Sequence, residues 1–78
     1  MAEFQFQIAP LRKQHGLSQQ QLAALLDVAP QTVSKWETGV TFPDIALLPE
    51  LSRIFGVSVD ELMGLKPLPD ATYIPTDK

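Results

Sequence analysis

Gln31, Ser34, Lys35 and Thr38 are spaced so that, on a helix advancing roughly 100° per residue, all four share one arc. Ala29, Val33 and Trp36 fall on the opposite side. Amide, hydroxyl and ammonium groups gathered this way can donate to or accept from base edges and phosphate oxygens, and the major groove of B-form DNA admits one α-helix. Gln31 carries the two-pronged amide that matches adenine, and Lys35 suits guanine or a phosphate. Thr41, a little further on, offers a weaker hydroxyl for a phosphate. A polar arc is also what any solvated helix face looks like, so its meaning rests on the elements that hold it.

Those elements are well marked. Ser18 followed three residues later by Gln21 has the spacing of a capping box, in which each side chain satisfies a free backbone N–H of the other residue. Leu22, Ala23, Leu25 and Leu26 then form an apolar stripe at helical spacing. Asp27-Val28-Ala29-Pro30 interrupts it, because a proline belongs in the first turn of a new helix. A tight corner is therefore predicted near Asp27 to Ala29, with the next helix running from about Ala29 or Pro30 to Thr38. Gly39 is its left-handed stop, and Trp36 props it from behind as a core residue rather than a stacking platform.

Before Ser18, residues 3–8 alternate apolar and polar, whereas Phe4, Ile8 and Leu11 also fit a helical face. Pro10 forbids an undisturbed helix from Phe4 to Gln14, so a helix is expected to begin around Gln7 to Ala9, after an arm over residues 1–8. Such an arm either joins a neighbouring sheet edge or packs its phenylalanines on its own core, and the second is expected. After Gly39 comes a loop ending at Pro43-Asp44, with Asp44 as helix cap. Pro49 moves the regular part of the fourth helix towards Leu47, and that helix ends at Phe55-Gly56. Ser58 with Glu61 forms a second capping box, opening a last short helix closed by Gly64. Leu48, Leu51, Ile54, Phe55, Val57, Val59 and Leu62 are assigned to the core. Residues 65–78, with Pro67, Pro69 and Pro75, read as a linker or tail. That tail is equally compatible with a C-terminal domain beyond this chain and with a short natural end.

Composition sets limits. With 78 residues, 45% of them hydrophobic, one thin core fits, and the domain is expected to occupy residues 9–64. The absence of cysteine excludes disulfides and thiolate metal sites. Neither a bilayer-spanning run nor a signal peptide is present, so a cytoplasmic protein with no membrane partner is expected. The net charge of −3 argues against a partner rich in phosphate. Between residues 12 and 53, however, Arg12, Lys13, Lys35 and Arg53 balance Asp27, Glu37, Asp44 and Glu50, and the acidic excess lies outside. Few cations remain for phosphate, so dimerisation is expected to be needed for useful affinity.

The blocks Leu11-Arg12-Lys13, Gly16-Leu17-Ser18-Gln19, Leu22-Ala23, Val33 to Gly39, Pro43-Asp44-Ile45 and Phe55 to Gly64 occur in order and at matching spacing. Together they resemble the phage-repressor-like helix-turn-helix family, also called Xre or Cro/CI-type. The resemblance implies an all-α fold, a compact five-helix bundle of lambda-repressor-like type whose second and third helices form the helix-turn-helix. It implies sequence-specific binding of duplex DNA as a homodimer, and hence a transcriptional regulator, expected to be a repressor. It places Gln19 against a phosphate through its side chain or backbone N–H. It assigns Arg12 and Glu37 to an ion pair bracing the first helix against the third, a scaffold role. Two residues depart from the family pattern. Asp27 stands where glycine is usual in the turn, and aspartate tolerates that left-handed backbone. Ala29 stands where a serine or threonine cap is common.

Other functions fit less well. One histidine, no cysteine, no metal-ligand spacing and no glycine-rich phosphate loop leave an enzyme without an inventory, and no cofactor is expected. His15 is assigned to the surface at a helix end. The serious rival is a protein-interaction module on the same fold, an antitoxin or adaptor, which the acidic balance favours.

Overall fold

A computed structural model describes residues 6–67 of the chain, so the Phe4 part of the arm and Pro69 and Pro75 of the tail lie outside the described residues. Five α-helices follow in order: α1 (Ile8–Gln14), α2 (Gln19–Leu26), α3 (Pro30–Glu37), α4 (Leu48–Phe55) and α5 (Val59–Leu62). A single 3₁₀ turn, Ile45–Leu47, leads into α4. The fold is an all-α bundle of five helices, as expected, with no strand among the described residues.

Local chemistry sets the helix starts. Ser18 Oγ accepts from the Gln21 N–H at 3.0 Å while Gln21 Oε1 accepts from the Ser18 N–H at 2.8 Å, the reciprocal pair expected of a capping box. Ser58 and Glu61 repeat it at the head of α5, with distances of 3.1 and 2.8 Å. Pro10, Pro30 and Pro49 all sit in first turns, where a missing N–H costs nothing. Asp44 caps the 3₁₀ turn through the Ala46 N–H, so Pro49 displaces the α-helical start to Leu48, one residue beyond the expected position. Ala29 supplies no side-chain cap to α3.

The helix ends share one device. After α3, Gly39 turns left-handed at φ 81°, which brings the Val40 N–H to the Lys35 carbonyl at 2.9 Å and the Gly39 N–H to Trp36. After α2 the same turn is made by Asp27, at φ 60° the one described residue other than glycine with positive φ. The Val28 N–H then reaches the Ala23 carbonyl at 3.0 Å, and the chain is aimed into α3.

The core is contiguous. Ile8, Leu11, Leu22, Ala23, Leu26, Val33, Trp36, Leu51, Phe55, Val57 and Leu62 are buried together. Leu48 and Ile54 pack against that cluster from its edge, and Val59 is half-buried. Two expectations need correction. Leu25, counted in the apolar stripe of α2, is 58% exposed, because that helix meets the core through Leu22, Ala23 and Leu26. Ala29, grouped with Val33 and Trp36, is exposed, because it is the extended residue before α3 rather than part of its inner face. Phe6 packs on the core and stacks against Phe42 with ring centroids 5.9 Å apart, and the Gln7 N–H donates to Leu62. The described end of the arm therefore lies on its own domain, beside α5. His15 is exposed at the end of α1, its ring 5.4 Å from that of Phe55.

Candidate nucleic-acid interface

α2 and α3 make the most extensive packing between helices, and their burial sorts the side chains of α3. Val33 and Trp36 point inward. Gln31, Lys35 and Thr38 are exposed, and Ser34 is half-buried between the two sets. The polar flank of α3 is thus open to solvent at Gln31, Lys35 and Thr38, held from beneath by the indole of Trp36, which is 5% exposed.

Beside this flank lies a shallow, open depression of about 700 Å³, lined by Arg12, Ser18, Gln19, Gln20, Pro30, Gln31 and Ser34. It lies where the first turn of α2 meets the first half of α3. Of the residues singled out in the sequence, Gln19, Gln31 and Ser34 come together here. Lys35, Thr38 and Thr41 do not line the depression. Lys35 is exposed, and Thr41 follows the helix, its N–H on the Lys35 carbonyl at 3.3 Å. The Thr38 hydroxyl donates back to the Ser34 carbonyl at 3.1 Å, so its proton is engaged within α3. Sequence reasoning missed Ser18, Gln20 and Arg12 as lining residues. For Gln20 the available signal was its place in the first turn of α2, one residue after Gln19.

Arg12 and Glu37 form a two-pronged pair at the back of the depression. Arg12 Nε donates to Glu37 Oε2 at 2.7 Å and Nη2 to Oε1 at 3.1 Å, while Nη1 donates to the Leu17 carbonyl at 2.9 Å. The Arg12 and Glu37 side chains are only 13% and 8% exposed. Gln19 joins them, its Nε2 donating to Glu37 Oε1 at 2.9 Å. Burial pushes the Glu37 carboxyl up, but the donors Arg12 and Gln19, helped by the charges of Arg12 and Lys13, outweigh it and hold the group below the ordinary glutamate range. The Arg12 guanidinium is held above its ordinary value by its hydrogen bond to Glu37, against the opposing effect of burial. The network ties Arg12 of α1 and Gln19, the first residue of α2, to the carboxylate of Glu37, the last residue of α3, while Arg12 also holds the Leu17 carbonyl before α2.

The sequence profile of the Helix-turn-helix family matches residues 8–62, from the first residue of α1 to the last of α5. This chain belongs to that family, in its Xre, Cro/CI-type branch. The helix-turn-helix itself is α2, the Asp27 corner and α3. Relatives agree with the assignment. The HTH-type transcriptional activator BcrR of Enterococcus faecalis is 39% identical over 62 residues, which cover 80% of this chain and 30% of the relative. The SPbeta prophage-derived HTH-type transcriptional regulator YonR of Bacillus subtilis is 42% identical over 52 residues, covering 67% of this chain and 48% of the relative. This helix-turn-helix chain therefore spans less than half the length of these two curated relatives. A crystal structure of a transcriptional regulator from Listeria innocua superposes with a TM-score of 0.77 at 38% identity, covering 90% of this chain and 67% of that one. Among the described residues no helix is long and apolar enough to cross a membrane, and no cluster of acidic or imidazole groups is arranged to hold a metal.

Proposed function

We propose that this helix-turn-helix domain recognises a specific duplex DNA sequence by laying α3 in the major groove, as a homodimer, and so regulates transcription in the cytoplasm. The observation that carries this reading is the open polar flank of α3 running into the depression at the start of α2. In this arrangement Gln31, Ser34 and Lys35 face base edges, and Gln19 meets a phosphate together with the first N–H groups of α2. Thr41, and Thr38 once its hydroxyl proton leaves the Ser34 carbonyl, reach the backbone beyond the other end of α3. The scarcity of cations supports a dimer: Lys35 is the exposed cation on α3, and Arg12 is committed to Glu37. Two copies on one face of the duplex, reading half-sites about 34 Å apart, double the phosphate contacts and require a roughly palindromic operator. Occupying such a site excludes polymerase without any further surface, so repression is the outcome this domain delivers unaided. Residues 65–78 serve in this reading as a linker towards a further domain, in keeping with the greater length of the relatives.

Titration into a mixed-sequence duplex at two salt concentrations tests the reading, because phosphate binding weakens steeply with salt. Undetectable binding at low salt would replace it with the protein-interaction module that the net charge of −3 favours. Selection from random duplexes then gives the operator. On that operator Gln31→Ala relaxes preference at one position per half-site, by about 5- to 150-fold for a bidentate contact, whereas Gln19→Ala weakens all sequences alike. Equal, sequence-independent losses from both changes would refute the assigned roles.

A further inference from the structure

We propose that Glu37 sets the phosphate affinity of the interface by offsetting the charge of Arg12, a cation in the wall of the depression, while fixing the amide of Gln19 at its rim. This inference rests on the DNA-binding reading above and goes beyond a scaffold role for the pair. Bracing α1 against α3 needs only the two hydrogen bonds between Arg12 and Glu37. The third, from Gln19 Nε2 to Glu37 Oε1, reaches the side chain placed to meet a phosphate. Arg12 and Gln19 line the same depression. A phosphate entering it meets a guanidinium already matched by a carboxylate, so the pair as a whole contributes almost no net attraction. The arrangement also orients Gln19. With one amide proton committed to Glu37, its carbonyl oxygen and second proton are held to one side, which gives the lip of the site a defined donor.

The consequence is an interface whose grip on the DNA backbone is deliberately weak and rises when one charge is removed. Glu37→Gln keeps an oxygen to accept from Gln19 and Arg12 but leaves the guanidinium unmatched. In the full chain, with a mixed-sequence duplex as probe, this variant is expected to bind several-fold more tightly at low salt. The slope of log affinity against log salt steepens by up to about 0.9, so a fourfold rise in salt costs roughly threefold more affinity than in the unaltered protein. Arg12→Gln, which leaves the carboxylate unmatched beside the phosphate, binds more weakly with a flatter slope. A purely structural pair predicts something different, namely that both variants lose affinity at every salt concentration with the slope unchanged. That result, measured at a temperature where circular dichroism shows the variants folded, overturns the proposal.

Where a variant does not fold, the unaltered protein still decides. The ¹⁵N-labelled chain is titrated with the same duplex, and the Arg12 Nε–H and Gln19 Nε2 resonances are followed. Movement of both on binding supports a phosphate at this site, and stationary resonances overturn it. Absence of salt-dependent duplex binding by the unaltered protein sinks the DNA-binding reading itself, whereas normal binding with unshifted slopes in both variants sinks only the role of Glu37.

Discussion

Replacing Trp36 by alanine separates two roles for the indole. The ring is 5% exposed and packed in the cluster with Val33, Leu22, Leu11 and Ile8, the last four at 0–1% exposure. Neighbours so fully enclosed relax little into a void, so truncation costs about 3–5 kcal/mol. A chain of 78 residues has a total stability of about 4–12 kcal/mol at ordinary values per residue. The loss is therefore a large fraction of the whole, and at 4–8 °C per kcal/mol the melting temperature falls by roughly 12–40 °C. Far-ultraviolet circular dichroism measures the melt, and duplex titration at several temperatures measures binding. Binding tracks the folded fraction, so it weakens on warming and recovers on cooling. The unaltered protein supplies a second readout, because Trp36 is its sole tryptophan and its fluorescence stays unquenched when duplex is added. A variant that melts normally yet binds poorly at every temperature would make Trp36 a stacking surface and refute the core assignment.

Two further outcomes follow from particular groups. Asp27 pays for a left-handed backbone that glycine adopts freely, so Asp27→Gly stabilises the domain by about 0.5 kcal/mol after the extra freedom of the unfolded chain is set against it. Its melting temperature rises by a few degrees, its low-salt duplex affinity rises with the loss of a carboxylate beside α3, and Asp27→Ala melts lower than either. Glu37 titrates below its unfolded value of about 4.3, so its contribution is complete above that pH and is lost as pH falls through the depressed folded value. Denaturant unfolding between pH 7 and pH 3 is expected to show that acid limb flattened in Glu37→Gln; an unchanged limb would show that other carboxylates carry it.

What was legible in the sequence was local. The capping boxes at Ser18 and Ser58, the prolines in first turns and the left-handed stop at Gly39 are written in residues one to five positions apart, so spacing alone reveals them. What was not legible depends on how helices cross. Nothing in the α2 stripe distinguishes Leu25 from Leu26, because helical periodicity marks a broad apolar face and only the packing of the neighbouring helices decides which edge is covered. The bond from Gln19 to Glu37 joins residues 18 positions apart, and sequence spacing carries no trace of it. The resemblance placed Arg12 beside Glu37, yet its place in the depression emerges only when three helices meet.

The division of labour along α3 has an engineering corollary. Gln31 and Lys35 are exposed, while every prop of the helix, from the indole to the carboxylate at its end, comes from other positions. Side chains that bear no weight can be exchanged without retuning what supports them, since such surface replacements ordinarily alter stability by less than about 0.5 kcal/mol. Under the proposed reading the domain is a chassis with a replaceable print head, onto which new operator preferences would be transplanted two residues at a time.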